Sequence, residues 1–236
     1  MRVVCVNCSS REVGHWCSHC GAVLPTPDNE NYFSILGLPQ KINLDEEILK
    51  ERFFDLNRAF HPDRSSRMKD PRMRDIATRK STLINNSFNT LRDRTRRIQY
   101  LIRQGLGDRE EKSGQIPLTL FDLVERVNDL MVELKEAKES SKAPGSPTNG
   151  RKVSEAAKEL EGELQELVAR REAFESNLHS RESEWDDLCD HTENFERLSA
   201  DDLAARQQIL QALSVRMDEI SYIDSLIRRI KDTLFE

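Results

Sequence analysis

Two pairs of cysteines, "CVNC" at residues 5–8 and "CSHC" at 17–20, stand eight residues apart and constrain the start of this chain more tightly than any other feature. In that spacing Cys5, Cys8, Cys17 and Cys20 form two C-x-x-C knuckles that wrap one tetrahedral ion with four thiolates, and Gly21 suits the tight turn after the second pair. A segment of about 20 residues builds no core of its own, so the metal supplies its folding energy. Zinc fits the spacing best; an iron centre, disulfides or a thiol redox site remain open. His15 and His19 are possible substitute ligands, but with four thiolates in place they read as surface histidines of the loop. Cys189 lies on an apolar helical stripe and reads as a small buried hydrophobe.

The rest of the chain reads as helix. Only 6% of its 236 residues are aromatic while 33% are charged, which excludes a thick β core. No apolar stretch approaches the roughly 20 residues of a membrane helix. The first residues hold neither a secretory h-region nor room for an Arg-rich transit segment before Cys5, so the chain reads as soluble with no visible address. Charge is uneven: residues 45–103 carry 15 Lys or Arg against 9 Asp or Glu, and residues 105–236 carry 18 against 30. Two surfaces with different partners are expected. Nucleic acid is disfavoured, because acids interleave the basic block, as in "DPRMRDIATRK".

"LPTPDNEN" reads as a linker and "YFSILGLP" as a short helix ended by Gly37. Asp45 is an N-cap candidate for a second helix whose Leu49, Phe53, Leu56 and Phe60 recur at spacings of four, three and four. Its solvent face presents Lys50, Arg52 and Arg58. Pro62 ends this helix near His61, leaving His61, Pro62 and Asp63 exposed at the helix end with Arg64 just beyond. A third helix over 70–91 packs back through Ile76, Leu83, Ile84, Phe88 and Leu91.

After the polar "GLGDREEKSG", a helix is expected over 118–139, then a loop at "SSKAPGSPTNG". From Val153 to residue 195 a helix of about 60 Å is expected. Leu160, Leu164, Leu167, Arg171, Phe174, Leu178, Arg181, Trp185 and Leu188 form its seam. Ser199 and Asp202 supply a capping box for a last helix with Leu210, Leu213, Met217, Ile220, Ile227 and Leu234 on its inner face. The fold class is mainly α, closing in an antiparallel three-helix bundle with a long hairpin.

A helix of the form L-x-x-x-F-x-x-L, then HPD, then a helix ending in "INNSFNTLRDRTRRIQYLI" resembles the J-domain of DnaJ-type co-chaperones. "YFSILGLP", "INNSFNTL" and "YLI" resemble the HscB (Jac-type) branch, whose members deliver iron-sulfur scaffold proteins to a DnaK-type chaperone; metazoan-like members also carry an N-terminal tetracysteine zinc module. The resemblance implies a zinc module at 1–25, a J-domain at 31–104 and a scaffold-binding bundle at 117–236 with a flexible insertion at 140–151. It implies a chaperone contact at His61, Pro62 and Asp63 with Arg52, Arg58 and Arg64, where the Asp perturbs contacts that keep the partner's ATPase slow. Hydrolysis belongs to the partner, and the chain itself is not an enzyme.

The scaffold patch of that branch resembles "DLVERVN" and "ISYIDSL" here, placing it at Leu123, Val124 and Val127 with an aromatic anchor at Tyr222. Asn128 stands where the branch has an acidic residue. Core packing of an inner helix face accounts for these positions equally well. Expected partners are a DnaK-type ATPase and an iron-sulfur scaffold, with no nucleic acid or membrane and with a homodimer open through the long seam. The compartment is the mitochondrial matrix in a eukaryote or the cytoplasm in a bacterium. A J-domain protein with another client and a zinc-ribbon and coiled-coil adaptor are the competing readings.

Overall fold

A computed structural model of the chain describes residues 2–27, 30–66, 68–108, 116–141, 149–191 and 199–235. They fall into two compact units, Met1–Leu101 with Trp185–Leu198, and Ile102–Glu184 with Ser199–Glu236. The fold is mainly α, as expected. No helix among the described residues is long and apolar enough to cross a membrane.

The first unit opens with a two-stranded antiparallel sheet, β1 (Val3–Val4) and β2 (Arg11–Glu12), pairing Val3 with Glu12. α1 (Tyr32–Leu36) starts at Asn31, whose side chain accepts the Ser34 N–H, and ends where Gly37 takes φ +64°. α2 (Glu46–Ala59) is capped by Asp45, which accepts from the N–H groups of Glu47 and Ile48 at 2.8 and 3.1 Å. Pro62 then opens a single helical turn, α3 (Pro62–Ser65), where a loop is expected; proline at a first helical position loses no hydrogen bond. α4 (Pro71–Leu91) is capped by Asp70. The chain breaks at Arg92–Asp93, past the expected third helix, and resumes as α5 (Arg94–Leu106), because the Asp93 carboxylate accepts the Arg96 N–H as a new cap.

α1, α2 and α4 enclose Phe33, Leu36, Leu49, Phe60, Ala77, Ile84 and Leu91, all buried. Phe53 and Phe88 stack at 4.0 Å across α2 and α4. Residues 185–190 belong to this unit and hold the 40–43 loop. Gln40 accepts from the Trp185 indole N–H at 2.7 Å and the Cys189 thiol at 3.3 Å. Asp186 accepts the consecutive N–H groups of Ile42 and Asn43 at 2.6 and 2.9 Å. Lys41 pairs with Asp190 at 2.5 Å, and the buried Arg97 donates to the Ile42 carbonyl. Ile42, the buried residue of this loop, has both its backbone N–H and its carbonyl bonded, as burial requires.

In the second unit a 3-10 turn at Leu118–Leu120 leads into α6 (Phe121–Ser141). α7 (Asn149–His191) begins four residues earlier than expected, inside the Ser/Pro/Gly-rich signal, where Arg151 and Glu155 form an i,i+4 pair at 3.0 Å. The remainder of the expected insertion, 142–148, and the expected helix end at 192–195 lie outside the described residues. α8 (Ala200–Phe235) starts with the expected capping box: Asp202 N–H donates to Ser199 Oγ at 3.1 Å, and Asp202 Oδ2 accepts from the Ser199 hydroxyl at 2.7 Å.

The core of this unit joins Leu123, Val124, Val127, Met131 and Leu134 of α6 with Ala156, Leu160 and Leu167 of α7 and Ile223, Leu226 and Ile230 of α8. The α8 stripe differs from the expected one. Leu210 and Leu213 are buried, but Met217, Ile220, Ile227 and Leu234 are only half-buried and Ile223, Leu226 and Ile230 take the core. A 3.6-residue turn drifts against a fixed 3–4 spacing, so over ten turns the buried face moves to neighbouring positions. Glu219, also buried, is held by Arg216 at 2.6 Å and by the Thr119 hydroxyl.

Candidate metal centre and chaperone contact

The two knuckles have the same backbone frame. Cys5 N–H donates to Ser10 O and Ser9 N–H to Cys5 O; Cys17 N–H donates to Ala22 O and Gly21 N–H to Cys17 O, all between 2.8 and 3.0 Å. The residue after each second cysteine takes a left-handed conformation, Ser9 at φ +62° and Gly21 at φ +70°. The four sulfurs lie within 4.8 Å of one another, with Cys5 to Cys20 and Cys8 to Cys17 both at 3.6 Å. A tetrahedron of 2.3 Å metal–sulfur bonds has edges of about 3.8 Å, so the cage fits one ion of zinc's size. The Ser10 hydroxyl, 3.1 Å from Cys8 Sγ and 3.2 Å from Cys17 Sγ, pulls both thiols below their ordinary range, Cys8 to about 6. Cys8 and Cys17 are thus biased toward the thiolate a metal needs, while Cys20 is pushed up to about 11.

His15 is not the surface residue the sequence suggested. Its ring meets Phe60 edge-on at 5.7 Å, and burial, with the Lys80 ammonium adding to it, pushes the imidazole down to about 4. His19 is exposed, and neither histidine is needed to complete the four-sulfur set.

Phe60 caps the C-terminus of α2 and is buried, while His61 and Asp63 immediately after it are exposed. A few local hydrogen bonds close the turn. Arg64 N–H donates to His61 O at 2.9 Å, Asp63 N–H to His61 Nδ1 at 3.3 Å, and the Arg64 guanidinium reaches Arg58 O at 3.4 Å. His61, Pro62, Asp63, Arg58 and Arg64 are thus brought together. Arg52 is exposed too, but six residues from Arg58 places it about 120° away around the helix, on a different face.

Three residues of the expected scaffold patch lie inside the bundle. Leu123, Val124 and Val127 are 3%, 1% and 0% exposed and belong to the three-helix core, because with Met131 and Leu134 they form the inner stripe of α6. Tyr222 is half-buried against the same cluster. The exposed large apolar side chains of α6 are Phe121 and Val132, eleven residues apart and therefore on one face.

No family model matches the chain. Over 139 residues it is 30% identical to the mouse iron-sulfur cluster co-chaperone protein HscB, covering 55% of this chain and 59% of that protein. Over 119 residues it is 34% identical to a co-chaperone protein HscB homolog of Vibrio cholerae, covering 50% and 64%. An Arabidopsis thaliana iron-sulfur cluster co-chaperone protein HscB homolog is 29% identical over 122 residues, covering 51% and 48%. Over about half of its length the chain is similar to HscB co-chaperones. It spans about half to two thirds of the length of these HscB relatives. Human HscB has the same fold, with a TM-score of 0.53 at 21% identity over 96% of this chain and 98% of that one.

Two groups of residues escape a reading of the sequence for HscB features. Trp16 lies flat on Phe60, and residues 185–190 hold the 40–43 loop. A tryptophan in a segment too short for its own core was a signal that the segment docks on something. Trp185 gave no such signal, since its spacing continues the seam of α7.

Proposed function

We propose that this chain is a J-type co-chaperone of iron-sulfur cluster assembly that binds a scaffold protein, delivers it to a DnaK-type chaperone and stimulates that chaperone's ATPase. The observation that carries this reading is the exposed His61 and Asp63 on a hydrogen-bonded turn at the end of α2, with Arg58 and Arg64 beside them. An exposed carboxylate beside His61 is free to pair with an arginine on a partner, and the neighbouring basic residues attract an acidic surface. In this scheme hydrolysis is the partner's.

Zinc is the metal proposed for Cys5, Cys8, Cys17 and Cys20, since four thiolates in a closed tetrahedral cage make a structural zinc site. When bound it supplies folding free energy to the knuckles. The scaffold contact is assigned to the Tyr222 face of the bundle, with Leu123, Val124 and Val127 as the packed layer beneath it. Relatives named HscB occur in a plant, an animal and bacteria, which fits a mitochondrial matrix or a bacterial cytoplasmic setting.

Steady-state ATPase of a DnaK-type chaperone, measured with the full chain and with or without an iron-sulfur scaffold, tests the reading. Stimulation by the chain, its loss in His61→Gln and Asp63→Asn, and a further rise with scaffold are expected. Wild-type chain without effect on the ATPase sinks the assignment. Metal analysis should find one zinc per chain, lost in Cys17→Ser and kept in Cys189→Ser.

A further inference from the structure

The segment that carries His61, Pro62 and Asp63 is anchored at both ends by the cysteine module. At its start, the Trp16 ring stacks on Phe60 with centroids 5.0 Å apart and planes 13° apart, and His15 closes another side at 5.7 Å. Lys80 of α4, only 1% exposed, places its ammonium 5.6 Å from the Phe60 centroid, so the ring is enclosed to 1% exposure. At its far end, Met73 in the first turn of α4 packs against the module's own small core of Cys5, Cys17, Ala22 and Leu24. His15 and Trp16 directly precede the ligand Cys17, and Trp16 bridges to Val23 beyond Cys20, so the stacking ring is rooted in the second knuckle.

We propose that Trp16 is a positioning residue for the His61–Pro62–Asp63 turn, and that metal bound by the four cysteines holds Trp16 in place, so that the chaperone contact is metal-dependent. This rests on the reading of that turn as the chaperone contact. A short turn at a helix end has few contacts of its own and is free to open locally. Fixing the residue before it and the helix after it restricts where the Asp63 carboxylate and His61 ring point. That lowers the ordering cost of binding. An aromatic pair contributes on the order of 1 kcal/mol, which corresponds to about a fivefold change in affinity.

The test uses the full chain as wild type, Trp16→Ala, Trp16→Phe and His61→Gln with a DnaK-type ATPase, alongside metal content and amide hydrogen exchange. Trp16→Ala should retain its metal and helix content, need about fivefold more protein for half-maximal stimulation, and show faster exchange at residues 60–66. Trp16→Phe should restore both readouts. If Trp16→Ala loses its metal, Phe60→Leu, which keeps apolar volume without the ring, should show the same shift with metal in place. Wild-type half-saturation and exchange in the metal-loaded Trp16→Ala, or in Phe60→Leu where that variant is the test, overturn the proposal. Failure of the wild-type chain to stimulate at all, or equal stimulation by His61→Gln, overturns instead the reading of the turn on which it rests.

Discussion

Trp185 donates its indole N–H to the Gln40 carbonyl at 2.7 Å, joining residues 145 positions apart in the chain. Next to that bond, Asp186 takes two consecutive N–H groups. Asp186→Ala would leave the N–H of the buried Ile42 without its acceptor, while the exposed Asn43 N–H turns to water, a loss of about 1 kcal/mol. Urea unfolding should show the loss. Asp186→Asn, which keeps one acceptor oxygen, should lose less. A variant as stable as wild type would show that the clamp adds nothing to folding.

Charge reversal separates the two arginines of α2. Arg58→Glu lies at the His61 end and should weaken association with a DnaK-type partner and flatten its salt dependence, by an amount typical of a rim charge, about 1 kcal/mol. Arg52→Glu, on another face, should do less. Binding titrations at two salt concentrations measure both, and equal effects would mean that the partner wraps α2 more widely than the His61 end.

Val124 and Tyr222 should also part company. Val124→Ala removes buried methyl groups and should cost about 2 kcal/mol of stability while leaving scaffold affinity unchanged once corrected for the folded fraction. Tyr222→Ala should weaken scaffold binding by about 2 kcal/mol as a contact residue. Thermal unfolding and affinity on the same samples decide. Tyr222→Ala losing affinity only in step with its folded fraction would remove Tyr222 from the contact.

Lys80 gives the fold a pH signature. Burial, opposed by the nearby Glu30, lowers its pKa from 10.5 to about 8. The unfolded chain keeps the lysine proton up to its higher pKa, so unfolding takes up a proton between those values and stability rises with pH there. Below about pH 8 both states are protonated and the full burial penalty applies. Lys80→Met should therefore unfold at higher temperature than wild type below pH 8, and the gap should close toward pH 10.5. A gap independent of pH would mean that the ammonium is not desolvated.

Local signals were the legible part of this chain. Asp45, Asp70, Ser199 and Asp202 cap helices where their residue types call for it, and the knuckle spacing brings four sulfurs together. What periodicity cannot state is which surface buries a stripe. Leu123, Val124 and Val127 fit both an inner face and a likeness to a docking motif, and only the packing of three helices placed them inside. Trp185 keeps the seam spacing of α7, yet its partner is a loop of another segment. The lodging of Phe60 between Trp16, His15 and Lys80 depends on contacts distant in sequence, which no spacing rule encodes.

The hold of residues 185–190 on the 40–43 loop bears on how the protein is made. The loop leaves the ribosome long before its partners, which follow some 145 residues later, roughly 7–30 seconds at ordinary elongation rates. Through that interval the Gln40 carbonyl and the Ile42 and Asn43 amides have only water to bond. The 40–43 loop therefore reaches its final form only after α7 has been synthesised, and a nascent chain arrested before residue 185 would display the loop ahead of α2 without its partners.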